Sequence, residues 1–310
     1  MKTLNINLHT KIDLKFLHLA IGNFDGVHIG HQKIINTLVI NAKKYRRQPA
    51  ILSFSPHPRQ YFSKKMFRYQ LISELQKQKL LEKLGVEYYF LLNFDESIAL
   101  LSPTEFIKYI LVNQLCVEKL IVGHDFKFGK NREGDTNLLQ DHAKLHGFSL
   151  EVIEPIITKN TSEKYSSSLI REALQKGDIV KTNLFLGRNW SMMGFVVHGD
   201  KKAREMNFPT ANILPHQQIH PKKGVYAIQS YHNNILFKGI ANFGERPTVD
   251  GNKLLLEVHL FEFNEDIYGK ELTVEFLTFI RDEKKFDNFA LLTKQIQKDI
   301  QNVKQYHQGK

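Results

Sequence analysis

Cysteine is nearly absent: Cys116 is the only one in the chain. That excludes an internal disulfide framework and suits a reducing compartment. Set among Ile110, Leu111, Val112 and Leu115, it reads as a small buried hydrophobe rather than a nucleophile. No apolar run is long enough to cross a bilayer. Met1 to Asp13 mixes Lys, Asn, His and Asp where a secretory leader needs an apolar core. The expectation is a cytoplasmic protein with no membrane partner. Acidic residues are in the minority, with Asp+Glu 32 against Lys+Arg 43 and a net charge of +11. Such a charge fits polyanions and phosphorylated small molecules alike. The basic residues are spread along the chain, with no basic arm interleaved with aromatics and no zinc-finger spacing. Nucleic acid is therefore not an expected partner. Repeats, low-complexity tracts and long linkers are also missing.

A chain of 310 residues, 42% of them hydrophobic, has the length for two domains and a core for each. The first half alternates strand-like and helix-like segments. Leu17 to Ile21, Ala50 to Phe54, Val86 to Leu92, Leu120 to Gly123 and Leu150 to Ile153 read as strands. Helical segments lie between them, one opened by Ser102-Pro103-Thr104-Glu105 as a capping box and another by Ser73 with Gln76. That order predicts a Rossmann-like α/β domain, with ligands beyond the C-terminal strand ends. After about Gly187, short apolar runs separated by turn residues predict an antiparallel β-barrel, closed by a helix over Phe289 to Val303. The expected domains are 1–186 and 187–310.

The most informative stretch is Ala20 to His31. An apolar strand ends in a turn holding Gly22, Asn23, Phe24, Asp25, Gly26, Val27, His28, Ile29, Gly30 and His31, and a helical pattern follows at once. A helix N-terminus presents unpaired N–H groups and a favourable dipole to an anion. Glycines let backbone approach a phosphate closely. The two imidazoles, three residues apart, can both donate to phosphoryl oxygens. A metal half-site is the competing reading, but a structural zinc would want Cys or further His nearby.

Three further segments join this loop. In Gly123 to Gly129, Asp125 is flanked by glycine and aromatic residues, and Phe126 and Phe128 either offer flat faces to a planar ring or pack in the core. Tyr165 to Arg171 carries Ser166, Ser167 and Ser168 ahead of Arg171, either a plain helix cap or a cradle for a triphosphate. Pro56-His57-Pro58 closes a strand.

Together these four segments resemble the adenylyltransferase module of bacterial bifunctional riboflavin kinase/FAD synthetases. The resemblance implies transfer of AMP from ATP to FMN with Mg²⁺, giving FAD and pyrophosphate. It places His28, His31 and Arg171 in catalysis, Gly22, Phe24, Asp25, Gly30, Asp125, Ser167 and Ser168 around the nucleotide, and Phe126 and Phe128 at the flavin.

The second half resembles the riboflavin kinase barrel of the same family. Phe208-Pro209-Thr210-Ala211-Asn212, Gly224-Val225-Tyr226, Asn242 to Thr248, Leu256 to His259, Tyr268-Gly269 and Arg281 to Phe286 stand in family order. By that analogy Thr210 and Asn212 give hard oxygen ligands to Mg²⁺, and Glu257 is the base on the ribityl hydroxyl. The same analogy puts Gly199 and Arg204 at the nucleotide and Arg281 at the flavin. Riboflavin, FMN and ATP are the implied small-molecule partners, handled by a monomer or weak homo-oligomer. One departure stands out: Ala203 and Asn207 occupy positions where the family usually has glycine. Asn tolerates left-handed φ, whereas Ala there would cost roughly 1 kcal/mol or more. The alternative is thus a monofunctional FMN adenylyltransferase with a kinase-weak barrel.

Overall fold

In the computed structural model, Leu17–Ile21 (β2) is buried along its whole length, as an apolar run must be when both faces of a parallel sheet are covered. The structure describes residues 1–63, 68–158, 162–197, 210–215, 217–248 and 251–308, without the side chains of 246–248 and 251–253. The other strands of the first sheet are β1 (Lys2–Ile6), β3 (Pro49–Ser55), β4 (Tyr88–Asn93), β5 (Val117–Gly123) and β6 (Ser149–Ile153). All pair in parallel, in the order β1-β4-β3-β2-β5-β6.

Helices make the crossovers: α1 (Ile29–Tyr45), α2 (Pro58–Phe62), α3 (Glu74–Lys83), α4 (Glu96–Ala99), α5 (Pro103–Phe106) running into a wider-wound stretch Ile107–Gln114, and α6 (Thr136–His146). α1 buries Ile35, Leu38, Val39 and Ala42, the stripe set by its sequence period. The expected capping box at α5 is formed in both directions, Glu105 N–H donating to Ser102 Oγ at 3.3 Å and Ser102 N–H to Glu105 Oε2 at 2.8 Å. From β2 the chain winds through β3 to β4 on one side, then starts again with β5 on the other. The crevice between β2 and β5 is therefore the topological switch point, where such sheets bind ligands.

The second half forms a closed antiparallel barrel of β7 (Trp190–Val197), β8 (Ala211–Pro215), β9 (Gly224–His232), β10 (Ile235–Thr248), β11 (Gly251–Leu260) and β12 (Glu271–Arg281), ordered β10-β11-β8-β7-β12-β9. Trp190, Tyr226, Phe243 and Phe276 fill its interior, each such ring contributing about 2–3 kcal/mol of burial. The C-terminal helix α9 (Phe289–Gln308) packs Ile300 and Val303 against Val225, Ala227, Ile240 and Leu277.

Contacts divide the chain into Met1–Tyr69 with Glu74–Ser166, and Gln70–Ser73 with Ser167–Lys310. The change of sequence texture falls later, at 186/187, because α7 (Ser167–Lys176) and α8 (Ile179–Leu186) carry helical patterns yet are fastened to barrel strands. Asn183 donates to Phe276 O at 2.8 Å and accepts from Trp190 N at 2.7 Å, while Lys222 N donates to Leu174 O at 2.9 Å. Gln70–Ser73 joins this unit through Leu71 O, which accepts from Trp190 Nε1 at 2.7 Å.

One expectation fails. Cys116 is exposed, not buried: it sits at φ 46° in the turn after the wide helical stretch, where the chain reverses into β5.

Candidate active sites

The turn after β2 is strained and is held in shape by packing. Phe24 (φ 47°), Gly26 (φ 84°) and Val27 (φ 43°) all take positive φ, a region that costs non-glycine residues about 1–2 kcal/mol each. Burial of Phe24 and Val27 and the bond from Val27 N–H to Phe24 O at 3.0 Å hold them there. His28 is the N-cap of α1, its Nδ1 accepting the backbone N–H of His31 at 3.3 Å. An accepting Nδ1 puts the proton of the neutral ring on Nε2. The two imidazoles stack, with centroids 3.6 Å apart and planes 20° from parallel, and Phe24 meets His31 edge-on at 5.3 Å. A Cβ on Gly30 would lie 3.0 Å from His28 Cε1, so glycine there lets the His28 ring settle. A Cβ on Gly22 would press on the Phe24 ring at 3.3 Å. Asp25 and His28 are both buried.

Across the crevice, the loop after β5 holds Asp125, an exposed carboxylate paired with Lys164 at 2.6 Å and His124 at 3.9 Å. Partial desolvation works to raise its pKa, but Lys164 and then His124 outweigh it and keep the carboxyl below its usual range. Phe126 and Phe128 stack 5.5 Å apart, yet they divide the two readings between them. Phe128 is core: it is buried, and a Cβ on Gly134 would collide with its ring at 2.7 Å. Phe126, half-buried, is the one with a face to offer.

Sequence reasoning passed over the aromatic chain that continues from Phe128. Phe106 lies 5.7 Å from it, Phe54 6.4 Å from Phe106, Phe94 5.8 Å from Phe54, and Phe62 5.9 Å from Phe94. Phe62, on α2 just after β3, is 67% exposed. Its place directly behind Pro56-His57-Pro58 was the available signal.

Ser167, Ser168 and Arg171 lie on α7, in the unit with the barrel; Ser168 is exposed and Arg171 buried.

On the barrel, Glu257 is directly opposite Asn242 on one side and Asn212 on the other. Directly paired residues share a face, so a carboxylate stands between two amides, while its neighbours Leu256 and Val258 are buried on the opposite face. Asn242 Nδ2 donates to Glu283 Oε1 at 3.4 Å. Neither Asn242 nor Glu283 was singled out as a site residue from sequence. Thr210 is half-buried two residues before Asn212, so the two offer neutral oxygens from nearby positions. Among the described residues no cluster of three or more His, Cys, Asp or Glu could hold a metal. Two neutral oxygens suit Mg²⁺, which keeps waters and substrate phosphates as its remaining ligands. Arg281 is already engaged: its guanidinium grips Asp299 of α9, Nη2 to Oδ2 at 2.6 Å and Nε to Oδ1 at 3.0 Å. Gly199, Ala203, Arg204 and Asn207 lie outside the described residues.

Family models match both halves: one described as FAD synthetase over residues 11–169 and one described as riboflavin kinase over residues 186–307. The bifunctional riboflavin kinase/FMN adenylyltransferase of Haemophilus influenzae is 41% identical, covering 93% of each chain. The chain belongs to this family. The Bacillus subtilis member is 37% identical over 93% of this chain and 92% of that one. A solved structure described as a macrolide-efflux protein from Streptococcus pneumoniae superposes with a TM-score of 0.88 at 26% identity, covering 97% of this chain and 98% of that one. Its likeness is one of fold. Among the described residues no helix is long and apolar enough to cross a membrane.

Proposed function

We infer that residues 1–186 make FAD at the His28–His31 turn and that residues 187–310 make FMN at the row Asn242–Glu257–Asn212. The chain is a riboflavin kinase and FMN adenylyltransferase, and ATP is the second substrate of both steps. The observation that carries the assignment is the α1 N-terminus, with two stacked imidazoles over a glycine turn at the sheet's switch point.

In adenylyl transfer, an oxygen of the FMN phosphate attacks the α-phosphorus of ATP in line, and pyrophosphate leaves as the new P–O bond forms. The attacking oxygen is already an anion, so no strong base is needed. Catalysis is positioning plus stabilisation of phosphoryl charge. His28 donates through Nε2, and His31 and the N-terminus of α1 add to the same field. Gly22, Phe24, Asp25, Gly30 and Asp125 shape the nucleotide pocket. For Ser167, Ser168 and Arg171 it is the family resemblance that supports a role as hydroxyls and a cation for the triphosphate. Phe126, with Phe62 from the aromatic chain, stacks on the isoalloxazine.

In phosphorylation, Glu257 takes the proton from the ribityl 5′-hydroxyl as that oxygen attacks the γ-phosphorus and ADP leaves. Thr210 and Asn212 would hold Mg²⁺, which when bound would neutralise phosphate charge; for Gly199 and Arg204 the nucleotide role rests on the family resemblance alone. We place the enzyme in the cytoplasm, which its single cysteine suits, and take it to act as a monomer or weak homo-oligomer.

Product analysis with riboflavin alone and with FMN alone, each with ATP and Mg²⁺, tests this reading. It expects FMN then FAD from the first and FAD from the second. FAD from FMN with no product from riboflavin would leave the barrel without its kinase.

A further inference from the structure

A buried lysine lies against the phosphate turn. Lys77, on α3, is 5% exposed, and its ammonium donates to the backbone carbonyl of Asn23 at 3.2 Å. It also pairs with Glu74 Oε2 at 3.0 Å and stands 5.9 Å from the centroid of the Tyr89 ring. Burial alone would favour loss of the proton, but Tyr89 and Glu74 outweigh it and the amine is held above the usual lysine range. Tyr89 is itself pushed up to about 12 by burial, so at neutral pH Glu74 supplies the balancing charge.

The bonded atom gives this contact its meaning. The Asn23 carbonyl belongs to the peptide that leads into Phe24, and that peptide's orientation sets the φ of Phe24, held at 47°. Phe24 is the residue whose ring meets His31. The peptide is trans, with its C=O and N–H antiparallel, so drawing the oxygen toward Lys77 turns the Phe24 N–H away from the lysine and polarises it. A surface lysine held by one carbonyl would do little, but a buried ammonium fixes its acceptor strongly, because a charged donor is stronger and Lys77 cannot turn to water instead.

We propose that Lys77 is a positioning residue for adenylyl transfer, clamping the Asn23–Phe24 peptide so that His31 and the turn hold their reactive arrangement before substrate arrives. This rests on the reading of the turn as the FAD-forming site.

The test compares Lys77→Met, Glu74→Gln and His31→Ala in the full chain, reading FAD formation from FMN, FMN formation from riboflavin and thermal stability. Lys77→Met is expected to lose at least about tenfold in kcat for FAD, the usual scale for a misplaced catalytic frame. Its KM for ATP and its FMN formation should change little. Glu74→Gln leaves the lysine on its carbonyl but unbalanced, and is expected to melt earlier with kcat nearly kept. A Lys77→Met protein with the parent kcat overturns the proposal. So do two variants whose rate and melting fall in parallel, which is the signature of a purely structural ion pair. Undiminished FAD formation by His31→Ala would instead sink the reading of the turn, and the role of Lys77 with it. Should Lys77→Met not fold, Lys77→Gln takes its place under the same criteria.

Discussion

His28 Nδ1 accepts the backbone N–H of His31 while the two rings stack at 3.6 Å. One side chain therefore caps α1 through Nδ1 and, on the function proposed above, would offer its other nitrogen to a phosphoryl oxygen. The two duties separate by substitution. His28→Ala should lower FAD formation by about a hundredfold and stability by about 1 kcal/mol, the worth of an N-cap. His28→Asn, still a capping residue, should recover the stability but not the rate. Product chromatography and thermal melts check both, with riboflavin phosphorylation as the internal control. Equal loss of both products in a folded His28→Ala protein would refute the two-site assignment.

Glu257→Gln keeps the shape of the side chain in register between Asn212 and Asn242 but removes the proton acceptor. FMN formation should fall by a factor of about 10²–10⁴, the range for a lost general base. FAD formation from supplied FMN should stay at the parent rate. Single-turnover assays on each substrate read the two separately.

Asp299→Ala should destabilise the barrel by about 3–5 kcal/mol, because it strands the Arg281 guanidinium on a largely buried site. Arg281→Met with Asp299→Leu should recover much of the loss. Urea titrations of the two singles and the double give the coupling directly. A neutral Asp299→Ala would mean that α9 is held by Ile300 and Val303 alone.

His18, 2% exposed on β2, has its pKa lowered by burial, which outweighs the opposing pull of Glu118. The folded state thus prefers the neutral ring, and the unfolded chain binds the proton more readily. Stability from this group is full above the unfolded value near 6.5 and is lost as pH falls below it. Melting temperatures of the parent should therefore drop between about pH 7 and 5, and His18→Leu should flatten that slope. An unchanged slope would assign the acid sensitivity elsewhere.

The fold was legible where local signals agreed. Leu17 to Ile21 followed by glycines and a 3.6-residue stripe marks strand, turn and helix without outside help, and Ser102 with Glu105 fixes a helix start. Lys77 was illegible because its alternation with Gln and Glu on α3 looks like a solvated helix face. Its partner Asn23 lies 54 residues away in sequence, and only the sheet brings them together. Arg281 shows the same limit: a motif residue in family order, it is committed to Asp299, whose partner no spacing rule could name. Phe126 and Phe128 are indistinguishable in sequence, and it is the contact across Gly134, where a Cβ would collide with the Phe128 ring, that tells them apart. Cys116 misled because an apolar neighbourhood in sequence ended in a turn in space.

If Glu257 is the base proposed above, its pairing with Asn212 and Asn242 ties the kinase chemistry to alignment within a closed barrel. A slip of one residue in β11 would turn the acid inward and bring Leu256 out to the face that Asn212 and Asn242 share. On that reading a misaligned barrel would lose phosphorylation together with stability, since one slip removes both the acid and the buried Leu256 and Val258.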